Sequence, residues 1–176
     1  MKLEAAIETK RLVLKSLEPG DGRGRYADWM NDPEVVRFLE VRHGERSPES
    51  LAAYIKQIND SPDNYLLGIF SKDGGGHIGN IKLGPVNSVH RRAAIGLFIG
   101  DRSTCGKGYA TEAVDRITRF AFDDLGLHKV VAGCHKSNAA SEKVFLKAGF
   151  IKEGEQVEYW RIDGKWDSQV LFGRVS

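Results

Sequence analysis

The stretch AIGLFIGDRSTCGKGYATEAVDRITRFAFDDL, Ala94 to Leu125, reads as a strand, a glycine-bearing loop and a helix. Ile95, Leu97 and Ile99 alternate with Ala94, Gly96, Phe98 and Gly100, the period-two signature of a strand. The second face is half glycine, which weakens a strand and marks the close approach of a ligand or another backbone. In the loop Gly106 and Gly108 flank Lys107, and the helix is predicted to begin at Gly108 or Tyr109 and to bury Ala110, Ala113, Val114, Ile117 and Ala121. A helix start exposes unpaired N–H groups carrying partial positive charge, so the stretch predicts a phosphate-binding turn at the end of a sheet strand.

Upstream, Tyr65–Phe70 and His77–Val86 read as two strands joined by a Ser71–Gly76 hairpin turn. Ser47-Pro48-Glu49 opens a helix with a capping hydroxyl and a proline at the first helical position, and Leu51, Tyr54, Ile55 and Ile58 share one face of it. Before it lie a helix marked by Tyr26, Trp29 and Met30, a short apolar patch from Val35 to Leu39, and a polar loop from Glu40 to Arg46; the first strand falls within Lys10–Leu17. Downstream come a strand at Lys129–His135, a helix at Asn138–Ala148 closed by Gly149, and a hairpin of Glu155–Ile162 with Lys165–Phe172 around Asp163-Gly164. No repeat or linker interrupts this order, so the expectation is one mixed α/β domain over 1–176.

With 41% apolar and 28% charged residues, the composition is that of a soluble globular chain. A net charge of +2 argues against nucleic acid and acidic membranes as partners. No apolar run reaches membrane-spanning length, the N-terminal residues lack the apolar core of a secretory signal, and Cys105 and Cys134 form no disulfide framework, so a cytoplasmic protein is expected. The five histidines show no metal-ligand spacing, and no metal is expected.

Two glycine motifs fail their structural context. Gly74 to Gly79 matches GxGxxG, but a strand follows where a dinucleotide site needs a helix. Gly100 to Gly108 nearly matches a P-loop, yet it has one residue too many before Gly106-Lys107 and Gly108 where a magnesium-binding Ser or Thr belongs. Cys105 stands near a helix N-terminus that favours a thiolate, but no histidine is placed by sequence to serve it, and it reads as a small loop residue.

Cys105-Gly106-Lys107-Gly108-Tyr109-Ala110-Thr111-Glu112-Ala113 resembles the acetyl-CoA pyrophosphate loop of the GNAT N-acetyltransferase superfamily. Asn138-Ala139-Ala140-Ser141 leading to Lys147-Ala148-Gly149-Phe150 resembles its second cofactor element. The segment Glu8 to Leu14 and the Asp163-Gly164 hairpin resemble the branch containing the ribosomal-protein alanine acetyltransferases, and the similarity spans nearly the whole chain.

The resemblance implies a mixed sheet flanked by helices, in which the strand before the loop splays from the next long strand and the pantetheine arm lies in the gap. Phe98, Ile99 and Gly100 would contact that arm, Cys105 through Thr111 the pyrophosphate, and Asn138 and Ser141 the rest of the donor. Lys107 or Arg102 would meet further phosphates. Acetyl would pass from acetyl-CoA to a primary amine (a protein N-terminus, an amino sugar or a small amine) by direct attack in a ternary complex of a monomer or homodimer. Trp29, Phe38 and Tyr54 would line the acceptor side, with Trp160 and Trp166 mainly packing.

Two departures stand out. Phe145 occupies the place of the tyrosine that serves the leaving thiolate, so the resemblance implies Ser141 instead, and Ala94 stands where related enzymes carry a glutamate. Glu40, His90 and Glu158 are the open candidates for a base. These departures leave a non-catalytic acyl-CoA-binding sensor as the alternative.

Overall fold

Eight strands form one sheet in the computed structural model, which describes residues 1–74 and 76–176. They are β1 (Ile7–Glu8), β2 (Leu12–Ser16), β3 (Tyr65–Ser71), β4 (His77–Leu83), β5 (Arg92–Ile99), β6 (Lys129–His135), β7 (Ile151–Ile162) and β8 (Lys165–Val175). The helices are α1 (Arg25–Asn31), α2 (Pro33–Val36), α3 (Pro48–Asp60), α4 (Tyr109–Asp123) and α5 (Ala139–Lys147), with 3-10 turns at Pro19–Gly22, Glu40–His43 and Arg102–Thr104. The strands lie in the order β1-β2-β3-β4-β5-β6-β8-β7. The central β5–β6 pair is parallel, and every other neighbouring pair is antiparallel. The mixed sheet flanked by helices is thus as expected. The turn between β3 and β4 includes Gly75, so that residue of the predicted hairpin and of the Gly74–Gly79 motif lies outside the described residues.

The alternation read from β5 separates two cores. Ile95 joins Leu67, Ile81, Val130 and Phe172 beneath α4 and α5, and Phe98 packs against the cluster of Leu17, Tyr26, Trp29, Leu51 and Ile55 beneath α1–α3. Ala113, Val114, Ile117 and Ala121 of α4 are fully buried, as their spacing predicts, whereas Ala110 is half-buried and borders a cleft instead. In α3 the Ser47 side chain accepts from the Ser50 N–H, and Leu51, Ile55 and Ile58 are buried, each contributing about 1.5–3 kcal/mol of apolar burial. Tyr54 leaves that stripe and faces the cleft.

The tail hairpin is longer than the sequence pattern predicts, because β7 pairs with β8 from Ile151 onward. Its turn residues Asp163 (φ 49°) and Gly164 (φ 79°) are both left-handed, as a two-residue hairpin turn matched to strand twist requires.

Gly100 has a different reason from the one expected. A Cβ there would sit 2.0 Å from Cδ2 of Trp29, so the missing side chain makes room for the buried indole rather than for a ligand. A Cβ on Gly96 would meet nothing within 4 Å. Gly100→Ala is therefore expected to lower stability by about 1–3 kcal/mol through overpacking, and Gly96→Ala to change it by no more than about 0.5 kcal/mol. Urea unfolding measures both, and equal losses would refute the Trp29 explanation.

Candidate active site

β5 and β6 pair from Arg92↔Lys129 to Ile95↔Ala132 and then part. Beyond that point β6 continues to pair with β8 through His135↔Gln169, and β5 continues with β4 through Ile99↔Gly79. Gly84 donates to the Ala94 carbonyl and Gly100 to that of Ile78. Because backbone direction alternates in an antiparallel ladder, the even-numbered residues of β5 turn their peptide groups to β4, and Leu97 and Ile99 turn theirs into the gap. The splay is the one the resemblance implies. Within it the contact edge is corrected: Ile99 and the unforeseen Leu97 offer free backbone there, and Phe98 and Gly100 do not.

At the end of β5 the chain enters the loop. Gly106 (φ 78°) and Gly108 (φ 83°) hold left-handed conformations that glycine alone adopts without strain. Gly108 is the N-cap of α4 and has no side chain with which to cap it, so the first N–H groups of the helix face outward. An ionic clamp fixes the loop from behind. Arg11 pairs with Glu112 at 2.6 Å, donates to the Lys107 carbonyl at 2.9 Å and stacks 4.6 Å over the Tyr109 ring. Glu112 also accepts from Thr9 Oγ1 at 2.6 Å and from the Arg11 N–H at 3.0 Å. Burial works against the Glu112 carboxylate, but these hydrogen bonds outweigh it and hold its pKa below the usual range.

Loop and gap open into one cleft of about 1130 Å³. On the α4–α5 side it is bordered by Cys105, Gly106, Gly108–Thr111, Asn138 and Ser141, with the cations Arg102, Lys143 and Lys147. Lys107 is exposed and not among the lining residues. Asn138 caps α5, its Oδ1 accepting from the Ser141 N–H at 3.1 Å. Burial pushes the Cys134 thiol up to a pKa of about 11, with the Ser141 side chain acting in the lowering direction. Phe145 is buried and stacks on Phe172 at 5.5 Å.

The other side is lined by Tyr26, Phe38, Tyr54, Phe98 and Trp160, with Lys82 from β4 and with Glu34, Glu40 and Glu45. Trp29, expected there, is instead buried behind Phe98 and His77. Of the three base candidates only Glu40 borders the cleft. His90 is exposed on the β4–β5 turn, and Glu158 is exposed at an irregularity of β7 with φ 52°.

Buried polar atoms without partners draw attention to Asn80 and His135, which the sequence did not single out, and to Trp160, expected there mainly to pack. Asn80 Nδ2, His135 Nδ1 and Trp160 Nε1 are all buried and unpaired among the described residues, and all three residues line the cleft. His135 Nδ1 lies 3.4 Å from Asp167 Oδ2, too poorly aligned for a hydrogen bond. One signal was available: in the alternation of KVVAGCH, His135 shares a face with Val131 and Gly133, opposite the core-facing Val130, Ala132 and Cys134. Among the described residues no group of three or more His, Cys, Asp and Glu is placed to hold a metal, and no helix is long and apolar enough to cross a membrane.

The sequence profile described as "Acetyltransferase (GNAT) domain" matches residues 11–151. The chain is 38% identical over 173 residues to a Bacillus subtilis protein named Probable N-acetyltransferase YjcK, with 94% of each chain covered. It is 26% identical to the ribosomal protein uS5-alanine N-acetyltransferase of Escherichia coli, covering 94% of this chain and 88% of that one. The crystal structure of spermidine N-acetyltransferase from Vibrio cholerae in complex with CoA and spermine superposes with a TM-score of 0.83 at 22% identity, covering 95% of this chain and 96% of that one. The chain belongs to the GNAT acetyltransferase family, whose members are acetyl-CoA-dependent acyltransferases, and is an enzyme rather than a non-catalytic sensor.

The clamp predicts a pH-dependent cost. Arg11→Met is expected to lower stability at pH 7 by about 1–2 kcal/mol, a value discounted for the one-third exposure of the Arg11 side chain. Because the Glu112 pKa is depressed in the folded state, its contribution is present above the ordinary carboxylate value and lost as pH falls through the folded one. The gap between wild type and variant in urea unfolding should therefore shrink between pH 7 and pH 3; a constant gap would refute the clamp.

Proposed function

We propose that this enzyme transfers acetyl from acetyl-CoA directly to a primary amine, and that the preferred acceptor is a small amine carrying a second positive charge. The carrying observation is the uneven charge along the cleft: Arg102, Lys143 and Lys147 border the α4 N-terminus, and on the opposite, aromatic-lined side three carboxylates, Glu34, Glu40 and Glu45, outnumber the one lining cation, Lys82. Cations and free helix N–H groups suit the phosphates of the donor. Carboxylates at the rim raise the local concentration of a cationic acceptor, and the faces of Tyr26, Phe38, Tyr54 and Trp160 suit its ammonium and methylene groups. The spermine complex of the Vibrio cholerae neighbour supports this class of acceptor over a protein N-terminus or an amino sugar.

In this reading the Gly106–Thr111 amides hold the pyrophosphate, and the gap-facing amides of Leu97 and Ile99 hold the pantetheine arm and polarise the thioester carbonyl. Ser141 donates a hydrogen bond to the departing thiolate.

Thiol release measured with spermidine, glucosamine and an alanine-terminated peptide tests the acceptor class. Spermidine is expected to give a kcat/KM at least about tenfold above the others, as one favourable charge contact implies, and equal values would overturn the preference. On the donor side, Gly106→Asp, whose Cβ would enter open space, should raise the acetyl-CoA Kd about a hundredfold by adding negative charge at the phosphate loop, while Gly106→Asn, with the same backbone strain and no charge, should raise it far less. Ser141→Ala should keep that Kd and lower kcat about tenfold; calorimetry and turnover with unchanged values would return both residues to structural roles.

A further inference from the structure

The acceptor amine reaches the enzyme mostly as an ammonium ion, since alkyl amines titrate near pH ~10, and something must take its proton before it attacks. Glu40 does not serve this need well: its side chain is 60% exposed and lies 3.5 Å from Arg42. We propose that His135, oriented by Asp167, is the base that accepts this proton. The proposal rests on the amine-acetylation reading above and adds the residue that makes the amine nucleophilic.

The placement follows from the sheet. Past Ala132 the β5 side of β6 has no strand partner, so Gly133 and His135 border the gap. His135 turns to the face of the sheet opposite α4 and α5, which is the acceptor side of the cleft. The residue is 4% exposed, and its ring lies between Phe38 (5.3 Å) and Trp160 (5.0 Å). Nδ1 faces Asp167 Oδ2 at 3.4 Å, and the same oxygen accepts the Ser137 hydroxyl at 2.7 Å and the Ser137 N–H at 3.4 Å, which fixes the carboxylate. Although the contact is not aligned as a hydrogen bond, the negative charge of the carboxylate on that side favours the tautomer protonated on Nδ1, which leaves the lone pair on Nε2. No hydrogen bond to Nε2 is made among the described residues, and the residue lines the cleft.

The charged groups facing the ring are Asp167 from β8 and Arg42 and Glu40 from the Glu40–His43 turn. Burial lowers the imidazole pKa, Asp167 opposes it, Arg42 adds to the lowering and Glu40 opposes; the net shift is below the ordinary value of about 6.5. The ring is then neutral at pH 7 and ready to accept a proton. Nε2 takes one proton from the ammonium, and the freed lone pair forms the C–N bond at the acetyl carbonyl carbon. The C–S bond breaks with its electron pair on sulfur, the second N–H proton goes to the thiolate, and His135 returns its own to water. Ammonium and acetyl-CoA thus give amide, CoA thiol and one released proton.

The test measures kcat/KM against pH for the full chain with spermidine, glucosamine and the alanine-terminated peptide. Wild-type silence on all three would overturn the proposed reaction and this role with it. Where wild type turns over, His135→Gln is expected to lower kcat by at least about a hundredfold, with acetyl-CoA Kd and thermal midpoint retained, and to abolish the acid limb of the profile. Asp167→Asn should lower kcat less and move that limb to lower pH, because a carboxylate that stabilises the imidazolium is lost. A His135→Gln enzyme within threefold of wild type, or one keeping the same acid limb, would overturn the proposal. Should that variant fail to fold, the wild-type His135 ring titration by NMR decides: a neutral ring at pH 7 supports the role, and a charged one overturns it.

Discussion

Parallel strands that stop pairing halfway along leave backbone N–H and C=O groups facing one another across a gap, and such groups are costly unless something bonds them. β5 and β6 are held together only from Arg92 to Ile95, and each is then kept on its course by its outer neighbour, β4 or β8. The antiparallel ladders on both flanks therefore hold the gap open. Everything in the cleft depends on this arrangement. It frees the Leu97 and Ile99 peptide groups, brings the end of β6 to the surface of the gap, and delivers the chain from β5 into a loop that ends on the bare N-terminus of α4.

The loop needs rigidity that its own residues do not supply. Glycine in left-handed conformations aims the amides but loses more conformational freedom on folding than any other residue. The Thr9–Arg11 segment compensates from the far end of the sequence, through Glu112, the Lys107 carbonyl and the Tyr109 ring. The clamp leaves the outward face of the amides free, since each contact is made from behind the loop or on α4.

What was legible in the sequence is whatever depends on local chemistry. Period-two alternation placed β5 and separated its two faces correctly, Ser47 and Gly149 marked helix ends, and Asp163-Gly164 marked its turn, because each acts through neighbouring backbone. The misread residues depend on contacts distant in sequence. Gly100 looked like a ligand contact because the indole that fills its space comes from Trp29 on α1. Phe98 and Gly100 were read as a free edge because the direction of a strand's peptide groups is set by its partner's register, which a single strand does not reveal. His135 was passed over because its significance lies in Asp167, on a strand that reaches β6 only through the β7–β8 hairpin.

The buried unpaired atoms give the cleft its strongest physical signature. A buried side chain with an unmet hydrogen bond costs about 1–3 kcal/mol, so each one calls for a partner from a ligand, a water or a reaction. Among the described residues, Asn59 Oδ1 and Asn64 Oδ1 are unpaired away from the cleft, whereas Asn80 Nδ2 and Trp160 Nε1 belong to residues of different strands that line it, as does His135, whose unpaired Nδ1 faces Asp167. Ala94, where a carboxylate was sought, lies on β5 in register with Val131, before the strands part. An acid there would sit among paired strands, whereas a ring at the end of β6 stands where the gap is open. In the proposed reading, the same splay that frees the β5 backbone also explains why the polar side chains of the cleft come from other strands rather than from β5 itself.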